Sequence, residues 1–294
     1  MSSELSRAPL PTLISKAAGR SVGWVTSRGR ALPDYLVIGV KRGGTTSLQQ
    51  YLTAHPDVME PKAAKSSHYF DTNYGRSWAW YRGHFPRQSW VDGERAAGRP
   101  VVVGEASPYY CFHPLALDRI ASKLPDVRMI IVLRDPVERA WSHYAYEVAR
   151  GNEVLSFADA LAAEPGRIAG AEARIRSGAV PDDKEWRLHA YLPRGYYADQ
   201  IEAVRARFDP AQLHVVVSEE LFDHPLEVMN GVFGFLGVGA LSSGRFDAAN
   251  ANRKSELEPA IRNELAAHYA PHNERLYTLL GRRLPWTTPA ATTS

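Results

Sequence analysis

The chain has 294 residues, 45% of them hydrophobic and 23% charged, which describes a globular protein with one large core or two small ones. A net charge of +3 is too weak to argue for nucleic acid but suits a small anionic ligand. The single cysteine, Cys111, rules out an intrachain disulfide, and no apolar run reaches the about 20 residues that span a bilayer. These features make a cytoplasmic protein the expectation.

Residues 1–30 carry Arg7, Lys16, Arg20, Arg28 and Arg30 without an apolar signal core. They read as an N-terminal extension, either weakly ordered or a short docking helix. Short β-branched runs then predict buried strands at Tyr35–Gly39, Val101–Gly104, Val127–Leu133 and Leu213–Ser218. Helical spacing is found between and after them, at Ser47–Ala54, Pro114–Lys123, Pro225–Leu236 and Leu257–Tyr269. The polar stretch 165–190 reads as a helical or loop insertion. Alternation of this kind predicts an α/β fold with a central, mostly parallel sheet flanked by helices. One domain over 31–286 is expected, followed by a disordered tail at 287–294.

The first motif is Gly39-Val-Lys-Arg-Gly-Gly-Thr-Thr-Ser47. It resembles the phosphate loop G-x-x-x-x-G-K-[ST], with Gly39, Gly44 and Thr46 in place, but Thr45 occupies the lysine position. Gly43 and Gly44 allow close backbone approach, Thr45, Thr46 and Ser47 add hydroxyls, and the helix start favours an anion. The cations come earlier, at Lys41 and Arg42. Without the lysine, triphosphate chemistry is disfavoured; a ligandless glycine-rich turn is the plain alternative.

The second motif is Ile130-Ile-Val-Leu-Arg-Asp-Pro-Val-Glu-Arg-Ala-Trp-Ser-His-Tyr144. It predicts a strand entering a helix, with Asp135 as N-cap, Pro136 at N1 and Glu138 closing a capping box. Arg134 then stands at the carboxyl end of a strand, where α/β sheets bind ligands. Ser142 falls about 10 Å farther along the helix on nearly the same face. Arg134 is read either as a structural ion pair or as a ligand to an anion.

Together the motifs resemble the PAPS-dependent sulfotransferases, whose donor is 3′-phosphoadenosine 5′-phosphosulfate. Cation-Gly-Gly-Thr-Thr is similar to the family's 5′-phosphosulfate loop, with Arg42 in the usual lysine position, as in the tyrosylprotein branch. Arg-Asp-Pro-x-x-Arg-x-x-Ser-x-Tyr is similar to its 3′-phosphate site, which implies that Arg134 and Ser142 bind that phosphate. The order matches, about 90 residues apart. Residues 191–201, which include Tyr197, and 217–222 also look like bacterial members and the heparan-type branch. The resemblance covers most of 35–286. It implies a P-loop-like fold, PAPS as co-substrate, two anion sites without a metal, and Lys41, Arg42, Gly43, Gly44, Thr45, Thr46, Ser47, Arg134, Ser142 and Tyr197 as donor-binding residues. The acceptor it implies is a hydroxyl or amine on a carbohydrate, lipid or aromatic molecule.

In the heparan-type branch the catalytic base is a Glu within Lys-Glu-x-His-[Phe/Tyr]-Phe. Here the segment is Lys65-Ser66-Ser67-His68-Tyr69-Phe70, with Ser66 in place of the Glu. His68 and Glu105 are the substitutes, with Arg42 as the catalytic cation. Each substitute has a plainer reading, His68 as a packed histidine and Glu105 as a hydrogen-bonded scaffold. Glu105 also resembles the Glu of Glu-Lys-[Ser/Thr]-Pro, with Ala106 in the lysine position. Arg253 and Lys254 are candidates for a basic loop over the 3′-phosphate, or are simply solvated. Tyr69, Phe70, Trp78, Trp80, Tyr81 and Phe85 line an acceptor cleft or belong to the core. Two other functions compete: a P-loop kinase or nucleotide phosphotransferase, and a non-catalytic homologue that binds adenosine 3′,5′-bisphosphate (PAP).

Overall fold

A computed structural model describes residues 26–61, 66–244, 246 and 257–286. Lys65, Arg253, Lys254, most of the N-terminal extension and the expected tail lie outside the described residues.

Five strands form one sheet: β1 (Tyr35–Gly39), β2 (Val58–Met59), β3 (Val102–Ala106), β4 (Arg128–Leu133) and β5 (Leu213–Val217). Their order is β2-β3-β1-β4-β5, and every pairing is parallel. The helices are α1 (Thr45–Thr53), α2 (Trp78–Arg82), α3 (Gln88–Ala96), α4 (Ala116–Lys123), α5 (Pro136–Ala149) and α6 (Phe157–Ile168) in the first part of the chain. They are followed by α7 (Ala171–Arg176), α8 (Lys184–His189), α9 (Tyr197–Arg205), α10 (Ser218–Asp223), α11 (Pro225–Leu236) and α12 (Pro259–Leu280). The polar stretch 165–190 thus carries the end of α6 and all of α7 and α8.

Both faces of the sheet are covered, which explains why the strands read as continuous apolar runs. Successive residues alternate between two cores. Leu36, Ile38, Met129 and Ile131 face α4, α9 and α12 through Ile120, Ile201, Val204 and Leu276. Tyr35, Val37, Ile130 and Val132 face α1 and α11 through Leu48, Leu52, Val232 and Phe233. The aromatic cluster belongs to the first core: Tyr69, Phe70, Tyr81 and Phe85 are buried there, and Trp78 and Trp80 pack against it.

Two expectations need correction. β3 continues two residues past Gly104, with Leu36 opposite Glu105 and Val37 opposite Ala106. Glu105 is therefore inside the sheet and not beyond its edge. The capping box at α5 is also only half formed. Asp135 accepts from the amides of Val137 and Glu138 at 2.8 and 3.4 Å. The amide of Asp135 itself donates to Glu219 Oε1 at 3.0 Å, which replaces the reciprocal bond from Glu138.

The cap fixes the direction in which α5 leaves β4. Asp135→Ala is expected to lower stability by about 1–2 kcal/mol, read from the urea midpoint. An unchanged midpoint would contradict this role for the cap.

Candidate active site

β1 ends at Gly39, and the chain turns back onto β4 before α1 begins. The Val40 amide donates to the Val132 carbonyl at 3.0 Å, and the Gly43 amide to the Val40 carbonyl at 2.9 Å. A Cβ on Gly43 would lie 2.5 Å from the Val132 oxygen, so only glycine fits this approach. Arg42 and Gly44 both have positive φ, 71° and 103°. For Arg42 this costs about 1–2 kcal/mol. Gly44 caps α1 without a side-chain bond, so no capping side chain competes with an anion at the start of the helix. α5, by contrast, is capped from within by Asp135.

The strained Arg42 bridges the two motifs. Its Nε donates to Ser142 Oγ at 3.1 Å, and its guanidinium lies 4.7 Å from the centre of the Tyr146 ring. Arg150 lies over the same ring at 4.5 Å. Arg134 follows directly after β4 and meets Glu138 only at 3.5 Å, a loose pair. The Glu138 carboxylate has a closer partner in Arg262, at 2.6 Å. Lys41 Nζ donates to the buried Glu147 Oε1 at 2.6 Å. Burial and the nearby Arg194 charge pull the Lys41 ammonium down to about 7, against the opposing pull of Glu147.

These groups share one cavity of about 1030 Å³. Its wall includes Lys41, Arg42, Gly44, Thr45, Thr46 and Ser47 from the loop, Arg134 and Ser142 from the second motif, and His68. That volume is at the upper end of the range for small-molecule sites, roughly 300–1,000 Å³. Gly43 is absent from the wall; its part is to let the loop sit against β4. Tyr197 is likewise behind the wall. It is buried in the core, and its hydroxyl donates to the Arg134 carbonyl at 2.8 Å, which supports the arginine through its backbone.

Of the two candidate bases, only His68 faces the cavity. Its Nδ1 lies 2.9 Å from Asp71 Oδ2. Burial lowers the proton affinity of the ring, but the Asp71 bond and the Asp71 and Glu105 charges outweigh it, so the pKa is raised above 6.5. Glu105 is fully buried. It accepts from the Ser67 amide at 2.8 Å, Tyr110 at 2.9 Å, Tyr81 at 3.2 Å and Ser107 at 3.4 Å. The burial that β3's extension imposes leaves it a scaffold group that fixes the segment carrying His68. Ser66, in the expected Glu position, donates its hydroxyl to the Ala106 carbonyl.

Sequence reasoning missed Tyr146, Glu147, Arg150, Arg187 and Arg194, all of which line the cavity. Tyr146 falls one helical turn after Ser142, at i+4, and that spacing was the available signal. Arg194 lies in the family-like stretch 191–201, where only Tyr197 was singled out, and Arg187 and Glu147 offered no signal, because the fold alone brings their faces to the loop.

An uncapped helix start beside a glycine turn, at the carboxyl ends of a parallel sheet, defines a P-loop-like α/β protein with a second cationic anchor. Comparison with known proteins gives the family. Residues 32–257 match the sulfotransferase domain. The chain is 30% identical to mouse heparan sulfate glucosamine 3-O-sulfotransferase 6 over 95% of its own length and 80% of the relative's. It is 23% identical to the membrane-associated sulfotransferase kil1 of Dictyostelium discoideum, over 87% of this chain and 66% of the relative. The crystal structure of a sulfotransferase from Alicyclobacillus acidocaldarius superposes with a TM-score of 0.63 at 30% identity, covering 86% of this chain and 98% of that one. The chain belongs to the PAPS-dependent sulfotransferase family and is a sulfuryl-transferring enzyme. The kinase alternative is thereby set aside. Among the described residues no helix is long and apolar enough to cross a membrane.

Gly43→Ala forces a methyl group against the Val132 carbonyl. It is expected to weaken PAP binding about tenfold, the equivalent of about 1.4 kcal/mol, by calorimetry on folded protein. Unaltered affinity would show that the loop does not depend on this contact.

Proposed function

We propose that this enzyme sulfates a hydroxyl of a glycan or other small acceptor, with His68 as the general base and Arg42 as the catalytic cation. The observation that carries the reading is the single cavity wall formed by the loop, Arg134, Ser142 and His68. The residues fit the donor. The uncapped start of α1 and its hydroxyls suit the 5′-phosphosulfate, and Arg134 with Ser142 suits the 3′-phosphate. PAPS supplies the activated sulfuryl group. Arg42 is the cation best placed to neutralise charge growing on the bridging oxygen as the S–O bond to phosphate breaks.

His68 has the arrangement of a base. With Nδ1 protonated and donating to Asp71, Nε2 keeps its lone pair for the acceptor hydroxyl. The acceptor oxygen bonds to sulfur as its proton passes to Nε2. Asp71 stabilises the resulting imidazolium and fixes the tautomer. Serine at position 66 cannot take this part, since its hydroxyl is both weakly acidic and bonded to a carbonyl. Support for a glycan acceptor comes from the mouse relative, which by its name acts on heparan sulfate.

His68→Ala is expected to lower kcat about 10²–10⁴-fold while PAP affinity is kept. Because the pKa of His68 is raised, wild-type activity is lost as pH falls through a value above 6.5. Asp71→Asn removes the charge that favours the imidazolium, so this acid limb moves to lower pH. A pH–rate profile indifferent to both substitutions would exclude His68 as the base.

A further inference from the structure

Arg187 lies on α8, and both its backbone and its side chain are fixed. Its carbonyl accepts from Arg194 Nη2 at 3.0 Å and from Lys41 Nζ at 3.4 Å. Its Nε donates to Asp182 Oδ2 at 2.6 Å, and Asp182 Oδ1 accepts from Tyr109 at 3.2 Å. Arg187, Tyr109 and His68 line the same cavity. The guanidinium is near enough to His68 to pull against its protonation. Its two terminal nitrogens have no partner among the described residues, and the side chain is 39% exposed.

The acids of the wall cannot supply that partner. Glu147 is bonded to Lys41 and to Asn152, the latter at 2.7 Å. Glu219 holds the Asp135 amide and Trp286 Nε1, each at 3.0 Å. Other parts of the wall, Thr72, Pro108 and Leu188, are neutral. An arginine secured at Nε keeps its two terminal nitrogens for planar, two-point recognition of an oxyanion. Asp182 takes only Nε, and neither acid of the wall bonds to the terminal nitrogens, so these are open to an oxyanion of the ligand.

We infer that Arg187 is a specificity-determining residue that binds an acidic group on the acceptor. The acceptor is therefore an alcohol carrying a carboxylate, sulfate or phosphate close to the hydroxyl presented to His68. This rests on the sulfotransferase reading of the site and narrows its acceptor class. An Arg187–Asp182 pair that only braces α8 would leave acceptor charge without effect.

The test uses the whole chain saturated with PAP and matched probe pairs. One pair is 4-nitrophenyl β-D-glucuronide against the glucoside, and the other is 4-hydroxybenzoate against 4-hydroxybenzamide. Binding is measured by calorimetry for wild type, Arg187→Met and Arg187→Lys. In at least one pair the acidic member is expected to bind wild type about tenfold tighter. Arg187→Met should abolish that preference and Arg187→Lys retain part of it, with PAP affinity and the KM for PAPS unchanged. The inference is overturned if no pair shows the preference in wild type, or if the preference survives in Arg187→Met. It is also overturned if the substitution raises the KM for PAPS, because Arg187 would then serve the donor. Loss of PAP binding by wild type in the same titrations would instead strike the donor site itself.

Discussion

The parallel pairing of β1 with β4 is the constraint from which the site follows. Tyr35 opposite Arg128 and Val37 opposite Ile130 set the two strands side by side and pointing the same way. The turn after Gly39 and the helix after Asp135 must then emerge together at one edge. Val40 binds the Val132 carbonyl, and the same carbonyl excludes a side chain at position 43. Two motifs about 90 residues apart in sequence are brought within the length of one arginine, whose Nε reaches Ser142.

That edge holds more cations than acids. Lys41 has Glu147, but Arg194 is buried with its Nε and Nη1 unbonded, stacked between Tyr109 and Phe112 at 4.8 and 4.3 Å. Burial brings the Arg194 pKa down to about 10 and leaves the guanidinium charged at neutral pH. Charged groups held in a low-dielectric wall act strongly across the cavity, and an excess of fixed cations favours an anion there. Arg42 sits over Tyr146 in a left-handed conformation that a free loop would avoid. Strain of this kind persists where the surroundings enforce it, here Ser142 and Tyr146.

Much of this was legible from local chemistry. Continuous β-branched runs marked four of the five strands, and Asp135-Pro136 marked the start of α5. β2 was not legible, because a two-residue strand leaves no run to read. Glu105 was misplaced because Gly104 reads as a strand end, whereas the signal that marks the end of β3 is Ser107-Pro108, three residues further on. Tyr197 looked like a ligand group and instead acts on Arg134 through the main chain, a bond invisible to side-chain reasoning. Departure from the family at Ser66 directed attention to His68, and the structure adds Asp71 as its partner. Glu147 and Arg187 escaped notice because a charged residue on a helix looks the same whether its face meets water or a cavity.

The central claim is that one cavity binds a nucleotide carrying both a 5′ anion and a 3′-phosphate. The most direct measurement is calorimetric titration of wild type and Arg134→Ala with PAP and, separately, with ATP–Mg²⁺. Losing a charge-assisted bond of about 1.5–3 kcal/mol should weaken PAP binding by about tenfold or more in the variant, with ATP–Mg²⁺ binding weaker than PAP throughout. Undiminished PAP binding by Arg134→Ala, or a preference for ATP–Mg²⁺, would contradict the account.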